Sequence, residues 1–359
     1  MNIESLLIKS IKHGASDLHI TVGMPPIMRI DGELAQLNLQ AIDQILSENL
    51  ARQILSPEKY KKFETEGEVD TPYVIPDKGL FRVNCYHQRG TVGIAIRILP
   101  EKIFTVEDLG LPKAVSHLAR QKQGLVLVTG PTGSGKTTTL AAMIDLINTE
   151  RELHIVTLED PIEYYHHHKK SIVTQREIGK DSTSFAGALR ASLRQDPDVI
   201  LIGEMRDLES ISIALTAAET GHLVLATLHT IDAAKTVERV IDVFPSNQQH
   251  QIRAQLANSL AGIISQRLVR RFSTGGRVAV VEALICTHAV RNMIREGKIH
   301  QIPSVIETSY KYGMQTFDKH LQILYDKGTI SREECLNNAR DHEMMKRYLE
   351  INNQKIFQQ

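Results

Sequence analysis

The chain has 359 residues, about twice what a single core usually serves, so two domains are expected. With 42% hydrophobic residues it is not globally disordered, and 42 basic residues against 42 acidic ones leave no whole-molecule field to gather nucleic acid or anionic lipid. The three cysteines, Cys85, Cys286 and Cys335, are far apart and form no CxxC pair, which supports neither a disulfide framework nor a zinc knuckle and fits a reducing cytoplasm.

Lys9, Lys12 and Asp17 run through what would have to be the apolar core of an export signal, so none is expected. Apolar runs such as Leu125 to Val128 fall far short of the roughly 18 to 20 residues that a membrane-spanning helix needs. Any membrane contact is therefore expected to be peripheral or through a partner. Residues 3 to 12 carry Ile3, Leu6, Leu7 and Ile11 at helical spacing, whereas Leu18, Ile20 and Val22 alternate as a strand. Pro25 and Pro26 break that strand; residues 27 to 30 read as another, ending in an Asp31-Gly32 turn. A helical stretch from Ile42 to Glu64 is predicted to end near Gly67. Strands follow over Asp70 to Ile75, Leu80 to His87 and, after a turn at Gln88-Arg89-Gly90, Thr91 to Leu99. Residues 1 to 100 thus read as a small α+β domain closed by Pro100, and residues 101 to 122 as a linker holding one short helix.

From Gly124 the pattern changes to wholly apolar strands alternating with helices: Leu125 to Thr129, His154 to Leu158, Val199 to Ile202 and Leu223 to Thr227. This alternation predicts a largely parallel sheet covered on both faces, an α/β core over residues 123 to 359. Beyond Ser246 the chain reads as predominantly helical, with a hairpin-like interruption at Ser273 to Leu284. Residues 341 to 359 read as a polar, loosely held helix or tail.

Gly130-Pro131-Thr132-Gly133-Ser134-Gly135-Lys136-Thr137 fills every fixed position of GxxxxGK[ST], directly after the strand LVLVT and before the helical TTTLAAMIDLIN. The glycines let backbone N–H groups turn inward around phosphate, and the helix N-terminus adds its positive end. Lys136 would reach the β and γ oxygens, Thr137 would offer a hydroxyl to Mg²⁺, and Thr138 completes the ATP-binding set.

Hydrolysis also needs a carboxylate to activate water. Two strands run out into acids: Thr157-Leu-Glu159-Asp160-Pro161-Ile-Glu163, and Asp198-Val-Ile-Leu-Ile-Gly203-Glu204. Ligands of open α/β sheets sit beyond the carboxyl ends of the strands, so both clusters can converge on the P-loop. Gly203 stands where an aspartate is common. Glu204 is therefore the candidate general base, with Glu163 a second catalytic candidate, and Mg²⁺ is expected to rest on Thr137, water and Glu159 or Glu163. His222 and His229 bracket a strand of about 23 Å at roughly 3.3 Å per residue, so both cannot touch one phosphate. His229 lies at the end facing the γ-phosphate; His222 is expected at the opposite end. Arg82, Arg89 and Arg97 are candidates to offset charge on the γ-phosphate, with Arg82 and Arg97 reaching ATP between domains or across a subunit boundary. His166-His167-His168 reads as a solvated turn, because only His166 and His168 share a face of an extended strand.

In this order the segments SDLHITVGMPPIMRIDGEL, GPTGSGKTTTLAAMID, TLEDPIEY, LRQDPDVILIGEMRDLESI and AAETGHLVLATLHT resemble the secretion ATPases of type II and type IV pilus systems over nearly the whole chain. The resemblance implies a RecA-like P-loop ATPase core with a smaller N-terminal PAS-like α+β domain. It also implies a homohexameric ring and docking on an inner-membrane platform protein of the PilC-like kind. Assembly ATPases generally carry a four-cysteine zinc module, which this chain lacks. Ala289 to Glu296 instead resembles the AIRNLIRE segment of the retraction ATPases, with Arg291 and Arg295 on one helical face as a ridge that could engage a partner. The expectation is a cytoplasmic motor, peripheral to the inner membrane, that spends ATP on pilus retraction and hence twitching motility, beside an accessory, PilU-like retraction ATPase. The alternatives are that accessory paralogue itself, a secretion or pilus assembly ATPase, and more remotely a DNA translocase, against which the balanced charge counts.

Overall fold

A computed structural model describes residues 1–30, 32–76, 78–99, 102–273 and 275–356. The chain separates into two compact units, Met1–Lys102 and Ile103–Gln359. Asp31, Pro100 and Glu101, invoked above as turn, domain end and first linker residue, lie outside the described residues.

The first unit opens with helix α1 (Ile3–Lys12), capped by the Asn2 side chain accepting from the Glu4 N–H. Its strands are β1 (Asp17–Ile20), β2 (Ile27–Ile30), β3 (Glu33–Gln36), β4 (Glu68–Ile75), β5 (Gly79–Gln88) and β6 (Thr91–Leu99), hydrogen-bonded in the order β3-β2-β1-β6-β5-β4. Every pairing among them is antiparallel. Leu18 and Ile20 point into the core as the alternation predicts. The single helix expected over 42 to 64 is two: α2 (Gln44–Ile54) and α3 (Pro57–Glu66). Pro57 has no N–H to continue the first helix, and Ser56 caps the second by accepting from Lys59. Strand β3 went unread because three of its four residues are exposed and it has no apolar alternation.

The second unit begins earlier than the sequence suggests. Residues read as linker belong to its core: Val106, Leu111 and helix α4 (Lys113–Ala119) pack under the sheet through Val115 and Leu118. The sheet contains β7 (Gly124–Thr129), β8 (His154–Glu159), β9 (Ile172–Glu177), β10 (Val199–Ile202), β11 (Leu223–Leu228), β12 (Leu260–Arg270) and β13 (Arg277–Ile285), in the order β13-β12-β7-β11-β10-β8-β9. All neighbours are parallel except β12 and β13. Alternate residues feed two cores. Val126, Val128, Ile155 and Leu201 meet α4 and α5 (Lys136–Glu150) on one face. On the other, Leu125, Leu127, Val156 and Ile200 meet α6 (Phe185–Ser192), α7 (Leu208–Glu219), α8 (Ala233–Asp242) and α9 (Gln249–Ser259), with α10 (His288–Arg295) and α11 (Ile302–Thr308) beyond. Two-sided burial explains the continuous apolar runs. The fold class is the expected one, α/β with a largely parallel sheet in the larger unit and a smaller α+β unit.

The stretch after Ser246 departs from the helical expectation. The interruption placed at 273 to 284 is the second half of a long β12–β13 hairpin, and β12 occupies a segment read as helix. Gly262 allows the approach: a Cβ there would stand 2.6 Å from the Leu284 carbonyl oxygen. Helices α12 (Phe317–Asp326), α13 (Arg332–Asn338) and α14 (His342–Ile356) form a further cluster with Val269, Val278 and Val280. Met345 and Leu349 are buried in it, so the start of the supposed loose tail is packed.

Candidate functional site

The P-loop joins the centre of the parallel sheet to α5. Three of its glycines take positive φ: Gly130 at 144°, Gly133 at 76° and Gly135 at 85°. Gly130 has no alternative, because a Cβ would meet the Gln266 carbonyl oxygen at 2.2 Å. The loop is held from below by β12. The Gln266 amide donates to the Ser134 carbonyl (2.7 Å) and accepts from the Thr139 hydroxyl (2.9 Å), and Thr129 donates to Ser265 (2.9 Å). Lys136 curls over the loop, its Nζ 2.8 Å from the Gly130 carbonyl and 3.1 Å from that of Pro131. Burial lowers its pKa, partly offset by Glu204.

A cavity of about 450 Å³ opens above this loop, within the range of small-molecule sites. Thr132 to Thr138 line it with Glu159, Asp160, Glu163, Gly203, Glu204 and His229, so both acidic strand ends do converge on the P-loop. Glu204 follows β10 and is gripped from two sides: Arg206 Nη2 lies 2.7 Å from Oε2, and His229 Nε2 3.1 Å from Oε1. The Arg206 hydrogen bond holds its carboxyl below the usual range, helped by His229 and opposed by desolvation. Glu159 behaves oppositely. It is 8% exposed, and burial raises its pKa although Thr157 (2.6 Å) and Gln175 (3.2 Å) both donate to Oε1. Glu163 is exposed, and its backbone N–H supports Glu159. Tyr164 shares a 2.9 Å hydrogen bond with Thr138.

Gly203 is explained by space. A Cβ would stand 3.1 Å from the Leu158 carbonyl oxygen and 3.3 Å from the Glu159 Cα, so an aspartate would press into backbone. His222 lies before β11, at the end of the sheet away from the P-loop, where its Nδ1 is 2.9 Å from the Ala217 carbonyl. His166 departs from the solvated-turn reading: it lines the cavity, and burial lowers its pKa to about 4. Its neighbour His168 instead accepts the Val173 N–H (3.1 Å). Arg82 and Arg97 face each other on β5 and β6 of the first unit, where Arg97 Nε bonds Asp17 (3.1 Å); Arg89 sits in the β5–β6 turn at φ 49°.

The Arg291–Arg295 ridge on α10 is engaged within the unit. Arg291 Nη1 donates to the Ala257 and Asn258 carbonyls, both 2.6 Å, closing the C-terminus of α9. Arg295 bonds Asn292 (2.9 Å) and Asn258 (3.3 Å). Sequence reasoning missed Gln266, Arg206 and Arg277, the last two of which also line the cavity. Arg206 stood two residues past Glu204 in GEMRDLE; Gln266 carried no local signal.

The model of the type II/IV secretion system proteins matches residues 2–336. The chain belongs to that family. It is 48% identical over 340 residues to the type IV pilus retractation ATPase PilT of Pseudomonas aeruginosa, covering 95% of this chain and 98% of the relative. The type IV pilus ATPase PilU of the same organism is 40% identical over 339 residues, covering 94% and 89%. Among solved structures, the pilus retraction motor PilT with bound ADP superposes with a TM-score of 0.89 at 47% identity, covering 97% of this chain and 99% of that one. Membership of this ATPase family and the ADP-bound relative agree with a nucleotide site at the P-loop. Among the described residues, no helix is long and apolar enough to cross a membrane.

Proposed function

We propose that the chain is a hexameric motor that hydrolyses ATP to ADP and phosphate to power type IV pilus retraction. The observation that carries the hydrolytic part is the placement of Glu204 in the same cavity as Lys136 and the P-loop. Glu204 would accept a proton from the attacking water, as a general base worth about 10²- to 10⁴-fold. His229, whose Nε2 lies 3.1 Å from Glu204 Oε1, would orient that carboxylate and, with ATP bound, turn the same N–H to the γ-phosphate. Lys136 would exchange the Gly130 and Pro131 carbonyls for β and γ oxygens.

The donor set fits Mg²⁺. Thr137 offers a hydroxyl at the start of α5 with Glu159 and Glu163 beyond it, and among the described residues no group of three or more His, Cys, Asp or Glu forms a closed metal cage. A hard cation held by few protein oxygens, phosphate and water suits such a site. Thr137 would bind directly and Glu163 through water. Glu159, whose Oε1 already accepts two hydrogen bonds, would act from further out. The ion supplies neutralisation of the β- and γ-phosphate charge. Arg82 and Arg97 are the candidates for the remaining positive charge, from the first unit of the same or a neighbouring subunit.

The direction of work follows from similarity: identity to the PilT of Pseudomonas aeruginosa exceeds that to PilU, 48% against 40%. By this reading the motor works in the cytoplasm at the pilus base, on a PilC-like platform protein and beside a PilU-like accessory ATPase. Deleting the gene and counting surface pili tests it. Excess pili that do not retract are expected; bald cells would assign the protein to assembly instead.

A further inference from the structure

The turn that carries His229 is held from a direction that nucleotide chemistry does not require. After β11 the chain passes through Thr230, Ile231 and Asp232 into α8, with Asp232 as the N-cap. Glu282 of β13 is 4% exposed, and its Oε1 accepts the Ala233 N–H at 2.9 Å, at the first turn of α8. Its Oε2 accepts Arg340 Nη1 at 2.8 Å. The other arm of that guanidinium, Nη2, donates to the Ile231 carbonyl at 3.1 Å and lies 3.7 Å from the Asp232 carboxylate. One planar fork therefore ties together both sides of the turn that follows His229.

Arg340 belongs to the link between α13 and α14, and that link is itself fixed. The Asp318 carboxylate accepts the backbone N–H groups of Arg340 (2.7 Å) and Asp341 (2.9 Å), and the Arg340 guanidinium lies 4.4 Å from the centre of the Phe317 ring. Behind them stands the cluster of α12, α13 and α14. The C-terminal helices thus reach the catalytic side of the sheet through a buried carboxylate and a fork-shaped cation. Such a pair has directional geometry that lysine or a neutral side chain does not reproduce.

We infer that Arg340 is a positioning residue for hydrolysis: through Ile231, Asp232 and Glu282 it sets the His229 turn, and so the orientation of Glu204. It does not touch the nucleotide cavity. The inference rests on Glu204 and His229 being the hydrolytic pair. It gives the C-terminal helices a definite task, since any displacement of them relative to β13 is felt at His229.

The test is a double-mutant cycle on the full chain with Mg²⁺ and ATP, reading kcat, KM and ADP affinity for wild type, Arg340→Gln, His229→Ala and the pair. Arg340→Gln should lower kcat about tenfold or more, as misplacement by a fraction of an ångström does, while KM and ADP affinity hold. In the His229→Ala background the same substitution should cause no further loss. A merely structural arginine would reduce turnover equally in both backgrounds, and that result overturns the inference, as does wild-type kcat in Arg340→Gln. Should Arg340→Gln fail to fold, Arg340→Lys, which keeps the charge at Glu282 without the second arm to Ile231, carries the same comparison. Glu204→Gln separates the two levels of the argument. If it is inactive while Arg340→Gln is normal, only the positioning role falls; if it turns over normally, the hydrolytic pair falls with it.

Discussion

Replacing Gln266 by leucine probes how the P-loop is supported. Leucine keeps most of the volume but removes the donor to the Ser134 carbonyl (2.7 Å) and the acceptor for the Thr139 hydroxyl (2.9 Å). Gln266 is 1% exposed and Thr139 2%, so water does not replace the lost partners. Each buried polar group left without its partner costs about 1–3 kcal/mol. The Thr139 hydroxyl can turn back to a carbonyl of its own helix, which puts its share at the low end and the total at roughly 2–4 kcal/mol. For a unit of this size that is a fall in Tm of roughly 4–12 °C, read by differential scanning calorimetry. The loosened loop must also be ordered again by phosphate, so ADP should bind about tenfold more weakly in isothermal titration, equivalent to about 1.4 kcal/mol. Unchanged Tm together with unchanged ADP affinity would refute the supporting role of Gln266.

Three further outcomes follow from the same geometry. Arg206→Ala removes the main cause of the lowered Glu204 pKa, so the acid limb of the kcat–pH profile should move to higher pH; an unmoved limb would refute the pairing. A carboxylate whose folded pKa is depressed stabilises above its unfolded pKa and loses that contribution as pH falls through the folded one. The variant should accordingly show a smaller loss of Tm on acidification. Gly203→Asp, which restores an acid at the usual position, should destabilise by about 1–3 kcal/mol in urea titration, because its Cβ meets backbone at 3.1 Å and 3.3 Å. Arg291→Ala should cost about 1–2 kcal/mol, since two carbonyls at the end of α9 lose a charged donor; unchanged stability would return Arg291 to the role of a free docking ridge.

The parts of the site legible in the sequence are those where geometry fixes residue type locally. Gly130, Gly133 and Gly135 are constrained by their own backbone angles, and Lys136 and Thr137 by their place at a helix start. The acids at strand ends were legible because a parallel sheet delivers its carboxyl ends to one side. Segment β12 was not, for a physical reason. Leu260, Ile263, Ile264 and Leu268 are spaced as a helix face would be, and a strand buried on both sides has no period of two to contradict it. With β12 misread, Gln266 could not be aligned beneath the P-loop. The Arg340–Glu282 bond joins residues 58 apart in sequence, and the Arg291 contacts with α9 span 33 and 34. Such partners become visible only when the sheet and its helices are assembled. The former linker shows the same limit, since α4 is short and only the sheet it covers identifies it as core.

The most direct test of the central claim is phosphate release by purified Glu204→Gln protein with Mg²⁺ and ATP, measured beside its nucleotide affinity. Nucleotide should bind as it does to the wild type while release falls by about 10²-fold or more, the share expected of a general base. Release at the wild-type rate would contradict the assignment of Glu204 and, with it, the hydrolytic reading of the cavity.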